Sequence, residues 1–462
     1  MPRRPTHEDS APRTPARSPA ARAHSARRPG YSATATSAVG RRGAHTRNQI
    51  KAQAAALFIA NGYHDTSVEA IARALGGSRA TIYQYFTSKE DIYVELVREC
   101  EVAVLEHART LTGLGPHAQG LRNLGRWLHE WADIYDIYAV VFLEFPGIGT
   151  FENIPVTDAG PVAEELRTLI TDRVTGIGIA PDLDPRDAAA ALMRIAHMVN
   201  LYRYRGMFDL PSRTATSEAL AITLQLMLFP DTPTSVISVG REPEGALRAG
   251  AASSGAQPRY PAVTTHADDS PVRQDVLSVS STLFAERGYY SVSMHEIAAA
   301  AGISRATLYR HFNSKVKILA DLTARALAEI EPLATELNHL AATGSDLVRV
   351  HAWMTRYVGF HRRYNGVIRA GFDGAVTEQL SDVTLSPGIH ALHAAVTAVL
   401  HHTRLPGGMD QRAAAAIFLA ILGRMTEPTA VPSSHVDAEG TAALMMLILR
   451  RSLLRSPVAG ED

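Results

Sequence analysis

Apolar residues recur along most of this chain at the three- and four-residue spacing of an amphipathic helix, and strand-like alternation is rare. One apolar face covers residues 50–58, and a shorter one covers residues 68–75. Gly62 and Gly76 follow these two faces, at the place where a helix C-terminus favours a left-handed residue. The pattern predicts an all-α protein with short helices joined by glycine turns.

A third short helix is predicted directly after the second glycine. Ser78 can cap its start, and Thr66 or Ser67 can cap the helix before it. Within the third helix Ile82 and Phe86 stand four residues apart and must face inward. The outer or flanking surface is left to Arg79, Ala80, Thr81, Tyr83, Gln84 and Tyr85. Two short helices across a tight glycine turn are the layout of a helix-turn-helix.

The whole pattern occurs twice in the chain. Residues 47–93 align without a gap on residues 273–319, an offset of 226 residues, and about 19 of the 47 positions are identical. The same offset relates Trp127 to Trp353, so a complete unit has been duplicated. The predicted organisation is a disordered basic tail at 1–45, a first helix-turn-helix domain at 46–93, a first helical regulatory domain at 94–230, a flexible linker at 231–270, a second helix-turn-helix domain at 271–319, a second regulatory domain at 320–455 and a C-terminal tail at 456–462.

The second copy repeats the outer surface of the first with a few changes. Ser293 and Ser304 can cap its short helices, and its outer residues are Arg305, Ala306, Thr307, Tyr309, Arg310 and His311. Arginine can bind guanine edges, threonine can contact a thymine methyl group, and tyrosine hydroxyls suit phosphates. Lys89 and Lys315 stand in the first turn of the next helix, where a phosphate would meet an ammonium and free N–H groups. We predict that these residues, the capping serines and Thr66 contact DNA.

Residues 78–89, Ser-Arg-Ala-Thr-Ile-Tyr-Gln-Tyr-Phe-x-Ser-Lys, resemble the DNA-binding signature of TetR (tetracycline-repressor) regulators, and residues 304–315 repeat it. The resemblance implies two tandem TetR-like units, each with an N-terminal three-helix helix-turn-helix domain and a helical ligand-binding and dimerisation domain. The implied partners are a double-stranded DNA operator, an unknown small-molecule effector, and either the other copy (an intramolecular pseudo-dimer) or a second chain (a homodimer). Family members often have glycine where this chain has Ala80 and Ala306.

An aromatic stripe runs through each predicted regulatory domain. In the first copy it comprises Trp127, Trp131, Tyr135, Tyr138 and Phe142, at helical spacing. The stripe of the second copy is smaller and more polar and comprises Trp353, Tyr357, His361 and Tyr364. Both stripes fit the packing of a helical core, and both also fit the lining of a ligand pocket with a few polar tips. If both are pockets, they are different pockets.

Composition adds few constraints on function. Lys plus Arg equals Asp plus Glu at 46 each, so any DNA contact must come from a local basic patch. Cys100 is the single cysteine, which excludes an internal disulfide and favours a packed thiol over a redox switch. No apolar run approaches the ~18 residues of a membrane span. We expect a protein of the bacterial cytoplasm, associated with the nucleoid and not with a membrane.

Neither a cofactor nor a metal is predicted. His390, His393, His401 and His402 are close in sequence, but no cysteine or carboxylate completes a tetrahedral set with them. No phosphate loop, nucleophile elbow or metal signature supports an enzyme. The basic segment 1–45 fits either a non-specific grip on DNA phosphates or a passive extension.

Two functions follow from the duplicated pattern. The first is a ligand-responsive repressor that reads an imperfect palindromic operator, because Gln84-Tyr85 differs from Arg310-His311 at equivalent positions. The second is a pseudo-dimeric scaffold in which only one helix-turn-helix copy reads DNA and the other mediates pairing or partner binding. Separate replacement of Arg79 and Arg305 distinguishes the two functions.

Overall fold

The computed structural model describes residues 38–63, 65–144, 159–238, 270–343, 346–371, 380, 385–426 and 437–455. These residues form helices and no strand, as the apolar spacing predicts. The tails at 1–37 and 456–462 and most of the expected linker lie outside the described residues.

The first copy begins earlier than the sequence indicated. Its helices are α1 (Ala38–Asn61), α2 (Val68–Ala74), α3 (Arg79–Tyr83), α4 (Lys89–Arg109), α5 (Ala118–Ile137), α6 (Ala139–Glu144), α7 (Ala159–Val174), α8 (Pro185–Tyr204) and α9 (Arg213–Leu228). Helix α1 therefore starts inside the segment 1–45 that we expected to be disordered. A short helix, α10 (Thr234–Ser238), follows the first copy.

The helices of the second copy fall at the offset of the repeat. They are α11 (Pro271–Arg287), α12 (Met294–Ala300), α13 (Arg305–His311), α14 (Lys315–Ala342), α15 (Leu347–Gly371), α16 (Ser386–His401), α17 (Gln411–Met425) and α18 (Ala438–Arg451). The copies differ at one place in this order. Helix α15 is continuous, whereas α5 ends at Ile137 and the chain resumes as α6 two residues later.

Serine caps start the short helices of both copies. Ser67 and Ser78 accept the N–H of the residue three positions on, at the starts of α2 and α3. Ser293 and Ser304 do the same for α12 and α13, and Ser293 forms a complete capping box with Glu296. These four caps are confirmed. Each satisfies an N–H group that the first turn of a helix leaves without an intrahelical partner.

The two copies pack against each other through their last helices. Helix α8 lies against α17, and α9 contacts α17 and α18. Helix α17 is buried on nearly all sides, which is typical of a helix at the centre of a core. At the edges of this contact the Arg194 Nη1 donates to the Arg424 carbonyl at 3.2 Å, and the Arg451 Nη1 donates to the Met227 carbonyl at 3.1 Å. One chain thus contains the paired arrangement that a dimer would form from two.

The expected linker is helical where it leaves the first copy. Helix α10 occupies residues 234–238, and Ile237 in it is buried. A Cβ atom added to Gly407 of the second copy would lie 2.9 Å from the Ile237 carbonyl oxygen, so the two backbones approach closely there. The start of the linker is therefore packed on the second copy, and the prediction of a flexible segment is wrong for these residues.

Two further expectations concern single features of the chain. Cys100 is buried, and burial raises the pKa of its thiol, as expected for a packed side chain. None of the described helices combines the length and the apolar character that a membrane span needs.

Candidate nucleic-acid interface

Helices α3 and α13 present matching outer faces. Ile82 and Leu308 are buried beneath them, whereas Tyr83 and Tyr309 are 54% and 53% exposed. The remaining exposed residues of the two faces are Ser78, Arg79, Ala80 and Gln84 in the first copy, and Ser304, Arg305, Ala306 and Arg310 in the second. Thr81, Tyr85, Thr307 and His311 are half-buried at the flanks. The structure therefore gathers the predicted reading residues of each copy on one accessible face.

The turns before these helices depend on glycine. Gly76 and Gly302 have φ angles of +67° and +66°, a left-handed conformation that other residues adopt only with strain. The turn brings α2 and α3 into contact, and α12 and α13 pack in the same way. Each glycine is thus required for the angle at which its copy holds the outward helix.

An arginine in each copy fixes the outward helix to the helix that follows it. The Arg47 Nη1 donates to the Tyr85 carbonyl at 2.6 Å, its Nε donates to Glu95 Oε1 at 2.9 Å, and its guanidinium lies 4.1 Å from the Phe86 ring centroid. The hydrogen bond with Glu95 raises the pKa of Arg47. Burial alone would raise the pKa of Glu95, but the bonds from Arg47 and Lys51 outweigh it and lower that pKa.

Arg273 repeats this arrangement in the second copy. Its Nη1 donates to the His311 carbonyl at 3.2 Å, it pairs with Asp321, and it lies 4.3 Å from the Phe312 ring centroid. Sequence reasoning gave neither arginine a role. The available signal was that Arg47 and Arg273 are identical at the first position of the repeat, far from the motif.

The two predicted phosphate-binding lysines point back into their own domains. The Lys315 Nζ donates to the carbonyls of Tyr289, Tyr290 and Val292 at 2.7, 3.1 and 2.8 Å, which uses its three N–H groups. The Lys89 Nζ donates to the carbonyls of Tyr63 and Thr66 at 2.8 and 2.9 Å. The phosphate contacts of Lys89 and Lys315 stay predictions. Both ammonium groups hold the end of one helix against the start of another.

Thr66 also departs from its predicted role. It is 1% exposed, and its hydroxyl is hydrogen-bonded to the carbonyls of Leu57 and Gly62 at 3.1 and 2.8 Å. A residue so deeply buried cannot reach a nucleic acid without unfolding the turn. Thr66 is a structural residue, and Ser67 is the cap of α2.

The two outward helices differ in charge at their N-terminal ends. Arg79 forms an ion pair with Glu69 of α2. At the equivalent place the Arg305 Nε donates to His295 Nδ1 at 3.1 Å. Arg305 thus has a histidine beside it where Arg79 has a carboxylate. The second copy therefore presents a more positive surface, to which Arg310 adds where the first copy has Gln84.

The aromatic stripe of the first copy is packed ring on ring. Trp127 and Trp131 stack with centroids 6.4 Å apart, and Tyr135 and Phe142 stack at 4.6 Å. The stripe does not follow a single helix face, because α5 ends at Ile137 and Phe142 belongs to α6. Tyr138 is the residue after α5 and is half-buried. These contacts favour the core interpretation of the first stripe.

The second stripe borders a cavity of about 90 Å³. Tyr357 and His361 belong to its lining, whereas Trp353 and Tyr364 do not. Trp353 donates its Nε1 to the Leu333 carbonyl at 2.8 Å, and the Tyr364 hydroxyl donates to Glu329 Oε1 at 2.6 Å. The residues from the first copy on the lining are Met198, Leu201 and Tyr202. The cavity thus lies between the copies.

The histidines near residue 390 do not form a metal centre. His393 stacks on Phe208 of the first copy with centroids 4.5 Å apart, and His390 is hydrogen-bonded to the Ser386 carbonyl at 2.7 Å. Within the described part of the chain, no three histidine, cysteine or carboxylate side chains are grouped to hold a metal ion.

Comparison with known proteins identifies the duplicated unit. A family model described as bacterial regulatory proteins of the tetR family matches residues 50–96 and again residues 276–322. Both helix-turn-helix domains belong to the TetR family. Each match covers the outward helix with its capping serine, its glycine turn and the following lysine. The residues gathered on each exposed face therefore lie within the segments that the family model matches.

Similar proteins are transcription regulators of this kind. The HTH-type transcriptional repressor KstR2 of Rhodococcus jostii (strain RHA1) is 35% identical over 74 residues, 16% of this chain and 35% of that protein. The HTH-type transcriptional activator FasR of Mycolicibacterium smegmatis is 44% identical over 74 residues, 16% of this chain and 32% of that protein. The HTH-type transcriptional regulator SrpR of Pseudomonas putida is 24% identical over 163 residues, 34% of this chain and 75% of that protein. This chain spans about a third of the length of the first two relatives.

Proposed function

We propose that this chain is a ligand-responsive transcription regulator that reads an imperfect palindromic DNA operator with α3 and α13, and that one chain supplies both readers. The observation that carries the proposal is the pairing of α8 and α9 with α17 and α18. This pairing supports a pseudo-dimer, because it joins the two TetR-family units through the same helices of each copy. Its two reading faces are non-identical, so its two half-sites must differ as well.

The electrostatic difference between the copies supports unequal half-sites. Arg79 is paired with the negatively charged Glu69, whereas Arg305 is hydrogen-bonded to His295, whose side chain carries no negative charge. Phosphate attraction and the reading of guanine both favour a free guanidinium. We expect α13 to contribute more of the affinity and α3 to contribute mainly to the choice of sequence.

Selection of bound duplexes from a random pool tests the proposal with the full-length chain. The expected result is one chain per duplex and two half-sites that differ in sequence. Arg79→Ala and Arg305→Ala should each weaken specific binding by about 1–3 kcal/mol. Arg122→Ala, an exposed change on α5, is the matched control and should leave binding unchanged. A perfect inverted repeat bound by two chains would refute the pseudo-dimer.

The same variants test the scaffold alternative. In a scaffold only one of the two arginine replacements would reduce specific binding. The variant Glu69→His gives the first copy the partner that the second copy has, and it should strengthen binding to the half-site of α3 at low salt. Absence of any effect from Arg79→Ala and Glu69→His together would show that α3 does not read DNA.

We propose that the chain represses transcription and does not activate it. The relatives named above include both a repressor and an activator. A reporter gene placed behind the selected operator distinguishes the two, because a repressor lowers its transcription. Transcription raised by the chain in the absence of any effector would refute repression.

A further inference from the structure

Two residues that line the cavity between the copies are replaced by ring side chains at the equivalent positions of the first copy. Its lining includes Ile368 and Gly423 of the second copy. The repeat offset places Phe142 and His197 at these two positions in the first copy. There the Phe142 ring stacks on Tyr135 at 4.6 Å, and the His197 ring lies 5.6 Å from the same tyrosine. Rings thus occupy the positions at which the second copy has a smaller side chain or none.

Most of the surface that faces the cavity is apolar, and two buried tyrosines reach it from opposite copies. Tyr202 and Tyr357 are each 5% exposed, and neither hydroxyl has a hydrogen-bond partner among the described residues. Burial raises the pKa of both phenols, so both keep their protons at neutral pH. A buried hydroxyl without a partner is costly, and a ligand with an acceptor atom would remove that cost.

We propose that this cavity is a ligand site and takes a compact, uncharged, mainly apolar molecule with one carbonyl or hydroxyl group. Its volume of about 90 Å³ is below the ~150 Å³ of a cavity that holds benzene, which limits the ligand to at most one small ring. Arg369 and Arg424 also reach the lining, and each interacts with other groups of the protein. The ligand is therefore held by apolar contact and by the two tyrosine hydroxyls.

The site is connected to the second helix-turn-helix domain through α15. Arg369 lines the cavity, and its Nη1 donates to the Ala285 carbonyl of α11 at 3.4 Å. Three residues earlier a Cβ atom on Gly366 would lie 2.5 Å from the Ala285 nitrogen, so α15 and α11 touch backbone to backbone. A ligand that shifts α15 must shift α11 or break this contact. The inference that this ligand regulates DNA binding rests on the function proposed above, whereas the inference that the cavity binds a ligand does not.

Methyl NMR of the full-length chain with labelled isoleucine tests the site without DNA. The probe is cyclopentanone, and cyclopentane is the control that lacks an acceptor. Cyclopentanone should shift the methyl signals of Ile330 and Ile368, which line the cavity, and leave Ile170 of the first copy unchanged. Cyclopentane should bind more weakly. Shifts at neither lining residue, equal binding of the two probes, or tighter binding of cyclopentanecarboxylate would each overturn the proposal.

Variants that exchange residues between the copies sharpen the test. Ile368→Phe installs the first-copy residue and should weaken cyclopentanone binding at least about tenfold. Gly423→Ala adds one Cβ atom, 4.0 Å from the Tyr202 hydroxyl, which is an ordinary contact that the fold accommodates. It should weaken binding by a smaller factor. His197→Gly should open a second site, seen as new shifts in the first copy. Unchanged affinity in Ile368→Phe and Gly423→Ala would overturn the proposal.

The two proposals fail separately. If the chain binds no operator but cyclopentanone shifts the lining methyl groups, the site stands and the DNA function falls. If operator binding is specific but no probe reaches the cavity, the DNA function stands and the site falls.

Discussion

Protonation of His107 should destabilise the folded chain as the pH falls from 7.5 to 5. The His107 side chain is 5% exposed, and its ring stacks on Trp127 at 4.6 Å and on Trp131 at 5.9 Å. Burial lowers the pKa of His107 to about 4, although Glu130, whose carboxylate lies 3.9 Å from Nδ1, is nearby. Its Nε2 has no hydrogen-bond partner among the described residues.

The magnitude follows from the two pKa values of this histidine. An unfolded histidine has a pKa of about 6.5, so between about pH 6.5 and pH 4 the unfolded state binds a proton that the folded state does not. Stability from the neutral ring is therefore complete above about pH 6.5 and declines toward pH 4. Between about pH 7.5 and pH 5 the loss amounts to about 2 kcal/mol of the free energy of unfolding.

The test compares urea denaturation of the wild type and His107→Leu at the two pH values, followed by tryptophan fluorescence. Leucine is the residue of the second copy at this position, Leu333, whose carbonyl accepts from Trp353 as that of His107 accepts from Trp127. The wild type should lose about 2 kcal/mol more than the variant. His402→Leu, at an exposed histidine, is the control and should behave as wild type. An identical loss in wild type and His107→Leu would refute the argument.

Three further predictions concern the helix-turn-helix domain of the second copy and the contact between copies. Lys315→Met should lower the free energy of unfolding by about 1–3 kcal/mol, because three carbonyls lose their donor, and should leave the salt dependence of operator binding unchanged. If the variant instead reduced the slope of log affinity against log salt concentration by about one, Lys315 would contact a DNA phosphate. Glu296→Ala should lower the Tm at neutral pH, because bonds from Ser293 stabilise the Glu296 carboxylate and lower its pKa to about 2. The difference in Tm between wild type and variant should decrease as the pH falls from about 4 through 2. After cleavage at a protease site introduced between residues 238 and 270, the two copies should stay associated on gel filtration. Arg451→Ala loses the bonds to Met227 and Asp182, so its association should be weaker. The cleaved variant should therefore separate into fragments at protein concentrations at which the cleaved wild type stays associated.

The helix-turn-helix geometry could be predicted from sequence because local rules determine it. A serine three residues before an available N–H group caps a helix whatever lies elsewhere in the chain. Ile82 and Phe86, which are four residues apart, are both buried as their spacing predicts, although α3 ends at Tyr83 before Phe86 is reached. Duplication strengthened these inferences, since the second copy obeys the same rules with different residues between them.

The lysines and the first aromatic stripe could not be predicted in the same way. The position of Lys315 in a first turn is local, but its carbonyl partners lie 23 to 26 residues earlier and are brought close only by packing. The periodic spacing of the stripe passes through Tyr138 without a sign that α5 ends there. The same positions in the second copy lie within one continuous helix. Spacing describes a helix that could form, and tertiary contacts decide where it stops.

Because the two copies belong to one chain, a residue can be replaced in one copy and kept in the other. In a homodimer a residue replaced on one side is replaced on both, so a cavity or a charge always appears twice. Here Glu69 stands where the second copy has His295, and His197 stands where the second copy has Gly423, so each difference affects one side of the molecule. The shared anchors, such as Arg47 with Arg273, keep both outward helices in the same position. A single chain can therefore vary its two outward helices, and the two sides of the contact between its copies, independently of each other, whereas a homodimer must use identical halves.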